Sequence, residues 1–350
     1  QFNTITFTIL TPISSFSYPQ SSYVLSRDHP VSIIPTVNGD ELSFSITSGS
    51  LPIGLSLNSS TGIISGIPSQ AMSSQSVTIN ALNQVSNQSF SLSFTVLTPI
   101  SSFNYSQSSF ALTKDESFSI VPTINGDELS FSIISGSLPI GLSLNSTTGM
   151  IYGISSQFVS SQSVTIEAFN EVSNQFNTIT FTILTPISSF SYLQSSYVLP
   201  INGSFSVAPT VDGDELSFSI ISGSLPIGLS LNSTTGIISG IPSQTVSSQL
   251  ITIKAFNEVS DQSFSLSFTI QLIPSSLNYN QTIFIIQNNT YFIIKPTCEG
   301  DDLSFSIISG SLPIGLSFHS STGIISGTPL SSIPLTNITI QASNQVGSTQ

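Results

Sequence analysis

The chain has 350 residues, of which 39% are hydrophobic and 6% charged, and it carries a net charge of −13 from four Lys+Arg against 17 Asp+Glu. That balance excludes a basic nucleic-acid footprint and attraction to an anionic membrane surface. The apolar content, rich in β-branched residues and Phe, suffices for packed cores and excludes disorder.

Residues 1–18 recur unchanged as residues 175–192. Residues 1–12 therefore read as the last strand of a preceding repeat. From there the apolar signal alternates with period two, the mark of half-buried strands. Seven strands are predicted in the first repeat, near Tyr23–Leu25, Val31–Thr36, Leu42–Thr47, Leu55–Leu57, Ile63–Ser65, Val77–Ala81 and Phe90–Leu97. Asn38-Gly39-Asp40 and Asn58-Ser59-Ser60-Thr61-Gly62 are turn sequences. Pro52 and Pro68 mark places where pairing stops and the chain changes sheets. No segment shows a helical period.

Leu-Pro-Ile-Gly-Leu begins at Leu51, Leu138, Leu225 and Leu312, 87 residues apart each time. A period of that length suits an autonomous sandwich domain rather than a one-hairpin solenoid unit. The predicted fold is all-β: a tandem array of immunoglobulin-like or cadherin-like sandwiches at 13–99, 100–186, 187–273 and 274–350. The fourth is expected to lack its last strand. Two explanations of the ends follow: an excerpt of a longer covalent array, which the internal joints favour, or separate chains joined by strand donation. The start at Gln1, without an initiator Met or signal sequence, also reads as an excerpt of a larger precursor. Thr98-Pro99, Thr185-Pro186 and Ile273-Pro274 mark short, proline-bearing joints, which predict a semi-stiff rod.

The run Leu51-Pro52-Ile53-Gly54-Leu55-Ser56-Leu57-Asn58, then Ser60-Thr61-Gly62-Ile63-Ile64-Ser65-Gly66-Ile67-Pro68, resembles the signature of the putative-Ig repeats, relatives of dystroglycan-type cadherin-like domains. Ala342-Ser343-Asn344-Gln345-Val346-Gly347-Ser348 is similar to that family's strand-and-turn ending. The resemblance covers all four repeats and implies large modular surface proteins with varied partners. The second copy departs from it, with Tyr152 for the usual Ser and Ser155 for the Pro.

Catalysis fails on inventory. His29 and His319 cannot build a repeated triad. There is no His/Cys cluster for a metal, and the glycines sit in turns. Asp40 and Glu41 are adjacent, so on a strand they would diverge. Lys114, Lys254 and Lys295 fall in different phases, which excludes a repeated lysine cross-link. Cys298, the one cysteine, occupies the phase of Val37 and Ile124 and reads as a small core residue; no intrachain disulfide is available.

Recurring acids are the candidate ligands: Asp40-Glu41, Asp127-Glu128, Asp214-Glu215 and Asp301-Asp302 share one phase, and Glu171 and Glu258 recur in the turn before the last strand. Gathered at the joints they would offer oxygen ligands to calcium, the one cofactor the sequence admits. The competing reading is a solvated acidic rim. Glycosylation sequons occur at Asn58, Asn87, Asn104, Asn145, Asn202, Asn232, Asn280, Asn288 and Asn337. Asn58, Asn145 and Asn232 hold one turn phase.

The sequence thus predicts a non-enzymatic, extracellular or cell-surface stalk, fibre or coat, whose partners are neighbouring repeats or copies of itself. The alternative is a spacer ectodomain of an adhesin or receptor, stiffened by calcium. A carbohydrate-binding array would need exposed aromatic platforms, and the chain has no Trp.

Overall fold

Every regular element of the computed structural model, which describes residues 2–350, is a β-strand. The chain forms two units, Gln1–Ile183 and Leu184–Gln350, each holding two repeats. The first repeat contains β1 (Ser15–Ser17), β2 (Ser22–Ser26), β3 (Val31–Ile33), β4 (Thr36–Asn38), β5 (Ser43–Gly49), β6 (Leu55–Leu57), β7 (Ile64–Gly66), β8 (Met72–Leu82) and β9 (Asn87–Leu97). One sheet has the order β2-β9-β8-β5, with β2 parallel to β9 and the other pairs antiparallel. The second layer consists of β1-β4 and β3-β7-β6. Pro35, which has no N–H to give a ladder, separates β3 from β4 within the single strand expected at Val31–Thr36.

The core lies between these layers. Val77, Ile79 and Ala81 of β8 and Leu92, Phe94 and Val96 of β9 are buried against Phe16, Ile33, Phe44 and Ile64. The intervening hydroxyls point outward and bond across the strands: Thr78 Oγ1 and Ser91 Oγ are 3.0 Å apart, and Ser89 Oγ donates to Asn80 Oδ1 at 3.0 Å. Each buried large apolar side chain contributes about 1.5–3 kcal/mol. Phe94 also stacks on Tyr23, ring centroids 5.7 Å apart, and Phe94→Ala would cost about 3–5 kcal/mol.

The repeated motif glycines answer to backbone crowding. A Cβ on Gly54, at φ 98°, would sit 1.9 Å from the Ile67 carbonyl oxygen, and one on Gly66, at φ 141°, would sit 2.0 Å from that of Gly54. No side chain can relieve a clash with backbone. A second tie comes from Tyr18, just past β1, whose hydroxyl donates to the Gly62 carbonyl at 2.6 Å. Tyr105, Tyr192 and Tyr279 repeat the bond to Gly149, Gly236 and Gly323, each at 2.5 Å. Burial raises the phenol pKa above its ordinary value in all four, in Tyr279 to about 12.

The second repeat keeps this plan around a core of its own, from Ile100 to Phe181. At its departure from the motif, the Ser155 carbonyl accepts the Asp115 amide at 2.8 Å, as the Pro68 carbonyl accepts that of Asp28 at 2.8 Å. The crossing between sheets therefore survives the loss of proline.

In the second unit the third repeat is equally complete, with Ser196–Pro200, Asp261–Gln271, Val246–Phe256 and Ser217–Gly223 side by side. The fourth repeat has Ser304–Ser309, Thr339–Asn344 and the short Gly347–Thr349 in its larger sheet. Cys298 is half-buried, its Sγ 3.4 Å from the Ser275 carbonyl oxygen. At the other end, residues 2–14 form no strand, and Phe2, Ile5, Phe7 and Ile9 are exposed. Gln1 lies outside the described residues.

Candidate functional site

Polar backbone groups where the chain enters each repeat need partners, and the same three side chains supply them. In the first repeat Asp40, from the turn before β5, accepts the Thr11 amide on Oδ2 at 2.9 Å. Ser86, from the β8–β9 turn, accepts the Ile13 amide at 2.7 Å. Asn83 sits between them. Its Nδ2 donates to the carbonyls of Thr11 and Asp40 at 2.9 and 3.0 Å, and its Oδ1 accepts from Val85 N, Ser86 N and Ser86 Oγ. Every donor and acceptor of the amide is used.

This clamp recurs with little variation. Asp127 holds the Thr98 amide at 2.7 Å, Asp214 that of Thr185 at 2.8 Å and Asp301 that of Leu272 at 2.8 Å. Asn170, Asn257 and Asn344 take the role of Asn83. Ser173 and Ser260 replace Ser86; in the fourth repeat Gly347 stands there and gives its amide to Asn344 Oδ1 at 3.1 Å. Hydrogen bonds from Thr11 hold the Asp40 carboxyl below its usual range. Those from Thr98, helped by the Arg27 charge, do the same for Asp127.

The first acid of each pair thus bonds to backbone. The second serves the turn: Glu41, Glu128, Glu215 and Asp302 take left-handed φ values of 49–52° and are exposed. Asp40 and Glu41 lie in a turn rather than on the strand that the sequence suggested. Glu171 and Glu258 lie exposed in the turn before the last strand. Glu215 and Glu258 line one shallow groove with Leu184, Ser217, Phe256 and Asn257. Asp302 accepts from Gln271 Nε2 at 2.7 Å. Among the described residues no three His, Cys, Asp or Glu side chains gather to hold a metal ion.

The phased sequons stand in Asx turns. Asn58 Oδ1 accepts the amides of Ser60 and Thr61 at 2.9 and 3.0 Å. Asn145 and Asn232 do the same two and three residues on. Asn58 and Asn232 are exposed and Asn145 is half-exposed; Asn87, Asn104, Asn202, Asn280, Asn288 and Asn337 are all exposed. His29 and His319 are exposed too, each ring near a serine hydroxyl.

Sequence reasoning missed the clamp asparagine and the buried tyrosine. Their signal was the period: Asn83, Asn170, Asn257 and Asn344, like Tyr18, Tyr105, Tyr192 and Tyr279, fall 87 residues apart.

Among solved structures, a three-domain I-band fragment of titin aligns with a TM-score of 0.43 at 13% identity, over 73% of this chain and 98% of the fragment. Sidekick-1 immunoglobulin domains 1–5 align at 0.38 and 11% identity, over 96% and 78%. Extracellular domains 3–5 of Drosophila OTK align at 0.38 and 11%, over 74% and 96%. No curated protein matches the sequence. The family model described as Putative Ig domain matches residues 6–99, 94–186, 181–273 and 268–350. Together these four matches span nearly all of the sequence, and the chain belongs to the Putative Ig domain family.

Proposed function

We propose that this chain is a spacer, a structural array of repeats working outside the cell or at its surface, whose task is to set length and hold joints in one geometry. The observation that carries the reading is the clamp at the head of each repeat, where four aspartates hold four entering amides at 2.7–2.9 Å. A repeated element at every joint suits a repeated mechanical task. Exposed sequons and a surface of neutral hydroxyls support the extracellular setting. The acid residues are spent on backbone and turns, which supports a non-enzymatic role.

Small-angle X-ray scattering on chains of two, three and four repeats tests it. Each repeat should lengthen the particle by a constant roughly 35–45 Å, the span of a sandwich whose strands rise ~3.3 Å per residue. Asn170→Ala should broaden the distance distribution. A maximum dimension that stays flat as repeats are added would overturn the spacer reading.

A further inference from the structure

The outer face of the larger sheet differs between repeats at one place, where the last two long strands pair. In the third repeat Lys254 and Phe256 stand opposite Ser263 and Asp261 there. Lys254 Nζ lies 5.2 Å from the centroid of the Phe256 ring and 3.2 Å from Asp261 Oδ2, and Phe256 is half-buried. The ammonium gains from the ring face and the carboxylate together. In the first repeat the same place has neither ring nor charge, and Ser89 Oγ donates to Asn80 Oδ1 at 3.0 Å.

The second repeat has rings and a carboxylate at this place without the cation. Glu167, Phe169, Asn174 and Phe176 fall 87 residues before Lys254, Phe256, Asp261 and Ser263. Glu167 stands opposite Phe176, and Phe169 opposite Asn174. The face is the outer one: Val164, Ile166 and Ala168 of the same strand point into the core, while Thr165 and Thr178 bond across the strands outside at 2.9 Å. Asn174 Nδ2 donates to Glu167 Oε1 at 2.8 Å and tethers the carboxylate. Among the described residues Glu167 forms no ion pair. Phe169 and Phe176 are 37% and 53% exposed.

Strand spacing brings both rings within reach of one charge. Directly opposed Cβ atoms lie ~4.5–5.5 Å apart, and positions two apart on a strand ~6.6 Å apart. A cation against the free oxygen of Glu167 therefore comes within the ~6 Å of a ring centroid over which a cation–π contact acts. We propose that the outer sheet face of the second repeat, at Glu167, Phe169 and Phe176, binds a lysine or arginine side chain of a basic partner protein, in the place that Lys254 fills from within the third repeat.

Charge complementarity favours this occupant. The net charge of −13 draws a basic partner toward the chain, and the rings and the tethered carboxylate choose where its side chain lands. A neutral sugar would stack on the same rings but leave the Glu167 charge uncompensated, and the chain's own occupant of the equivalent place is an ammonium. Because the contact is exposed, its affinity falls as salt rises. The proposal goes beyond the spacer reading, which requires no partner of this kind.

An NMR titration of the full chain, with its phenylalanine rings isotope-labelled, tests it. Tri-lysine peptide at low salt should shift the ring signals of Phe169 and Phe176. Phe169→Leu and Phe176→Ser assign those signals, since Leu82 and Ser89 stand at these places in the first repeat. Tri-lysine with acetylated side chains should shift neither. Glu167→Gln, which keeps an oxygen for Asn174, should weaken binding roughly fivefold, and Phe176→Ser roughly threefold. Lys254→Glu/Asp261→Asn/Ser263→Phe gives the third repeat the residues of the second and should create a new site, read as a new shift at Phe256. Ring signals that ignore tri-lysine, an affinity unchanged in Glu167→Gln, a triple variant without the new site, or rings that answer to maltotriose and not to tri-lysine would each overturn the proposal.

Discussion

The Asn170 side chain reaches across 72 residues of sequence to hold the Thr98 carbonyl oxygen at 3.1 Å. Its other Nδ2 hydrogen goes to the Asp127 carbonyl at 2.9 Å, and its Oδ1 takes two amides and a hydroxyl. Asn170→Ala leaves five half-buried groups to find water. We expect a loss of about 1–3 kcal/mol from the second repeat. Asn170→Asp keeps the acceptor side but turns a carboxylate toward two carbonyl oxygens, so it should cost at least as much. Thermal unfolding measures both. A wild-type melting temperature for Asn170→Asp would show that the donor half of the clamp is idle.

Ser155 stands where the other repeats carry Pro68, Pro242 and Pro329. It is 3% exposed, and its hydroxyl finds no partner among the described residues. Proline here removes a buried unpaired hydroxyl and narrows the unfolded ensemble. The carbonyl that receives the Asp115 amide is kept. Ser155→Pro should stabilise the second repeat by about 1–2 kcal/mol, read as a higher denaturant midpoint at unchanged slope. A lowered midpoint would show that the Ser155 backbone has moved away from the proline conformation of its neighbours.

The strands with strong alternation were legible in the sequence because alternation is burial written along the chain. Leu55–Leu57 is found where expected, and the buried halves of β8 and β9 were expected at Val77–Ala81 and Phe90–Leu97. The start of β8 was not, since register shifts between Met72 and Gln75 in the β8–β9 pair and the alternation breaks there, nor was Asn87–Ser89 at the start of β9, which carries no apolar residue. β1 escaped notice because three residues with one apolar member, Phe16, make no pattern. The clamp was the larger omission. Asp40 drew attention as a charge, but its partner is a backbone amide 29 residues earlier, and no local pattern shows such a pairing. Cys298 fell in a core phase yet is half-buried, in a repeat where, among the described residues and prolines aside, only Phe305, Ile325 and Ala342 are buried apolar side chains.

The buried tyrosines predict an alkaline transition. Burial raises their phenol pKa above the ordinary value, in Tyr279 to about 12, while an unfolded phenol titrates near ~10. The folded chain therefore binds more protons in that window. Their contribution is fully present below about pH 10 and is lost as pH rises through the raised folded values, about 12 for Tyr279. Stability measured against pH should fall across this window, and Tyr105→Phe should reduce the slope. At neutral pH Tyr105→Phe should cost about 1 kcal/mol for the lost bond to Gly149. An unchanged alkaline slope in the variant would remove Tyr105 from the account.

Calcium would compete with the clamp for the first acid of each pair. One oxygen of each first acid already faces an amide, and Glu41, Glu128 and Glu215 sit exposed. Calcium prefers six or more oxygen ligands, and moving these acids together would break the clamp. We expect millimolar calcium to leave the melting temperature of a two-repeat chain unchanged. A rise that chelator reverses would mean that the joints rearrange to ligate the ion.

Asp127 supplies the acid counterpart. Hydrogen bonds from Thr98, with a smaller contribution from the Arg27 charge, lower its carboxyl pKa in the folded chain. A carboxyl in the unfolded chain titrates near ~3.9. Because the unfolded form takes up its proton first, the stabilisation is fully present above that value and is lost as pH falls through the lower folded value. Asp127→Asn retains an oxygen for the Thr98 amide but no charge. It should lie below wild type in stability at neutral pH, and the two should converge as pH falls through the acid window. The Arg27 contribution adds a salt dependence, since both residues are half-exposed and the charges are screened. Added salt should narrow the gap at neutral pH without closing it, because the hydrogen bonds, first among the causes of the shift, remain. A gap constant from neutral pH to below the folded value would show that the Asp127 charge does not hold the joint.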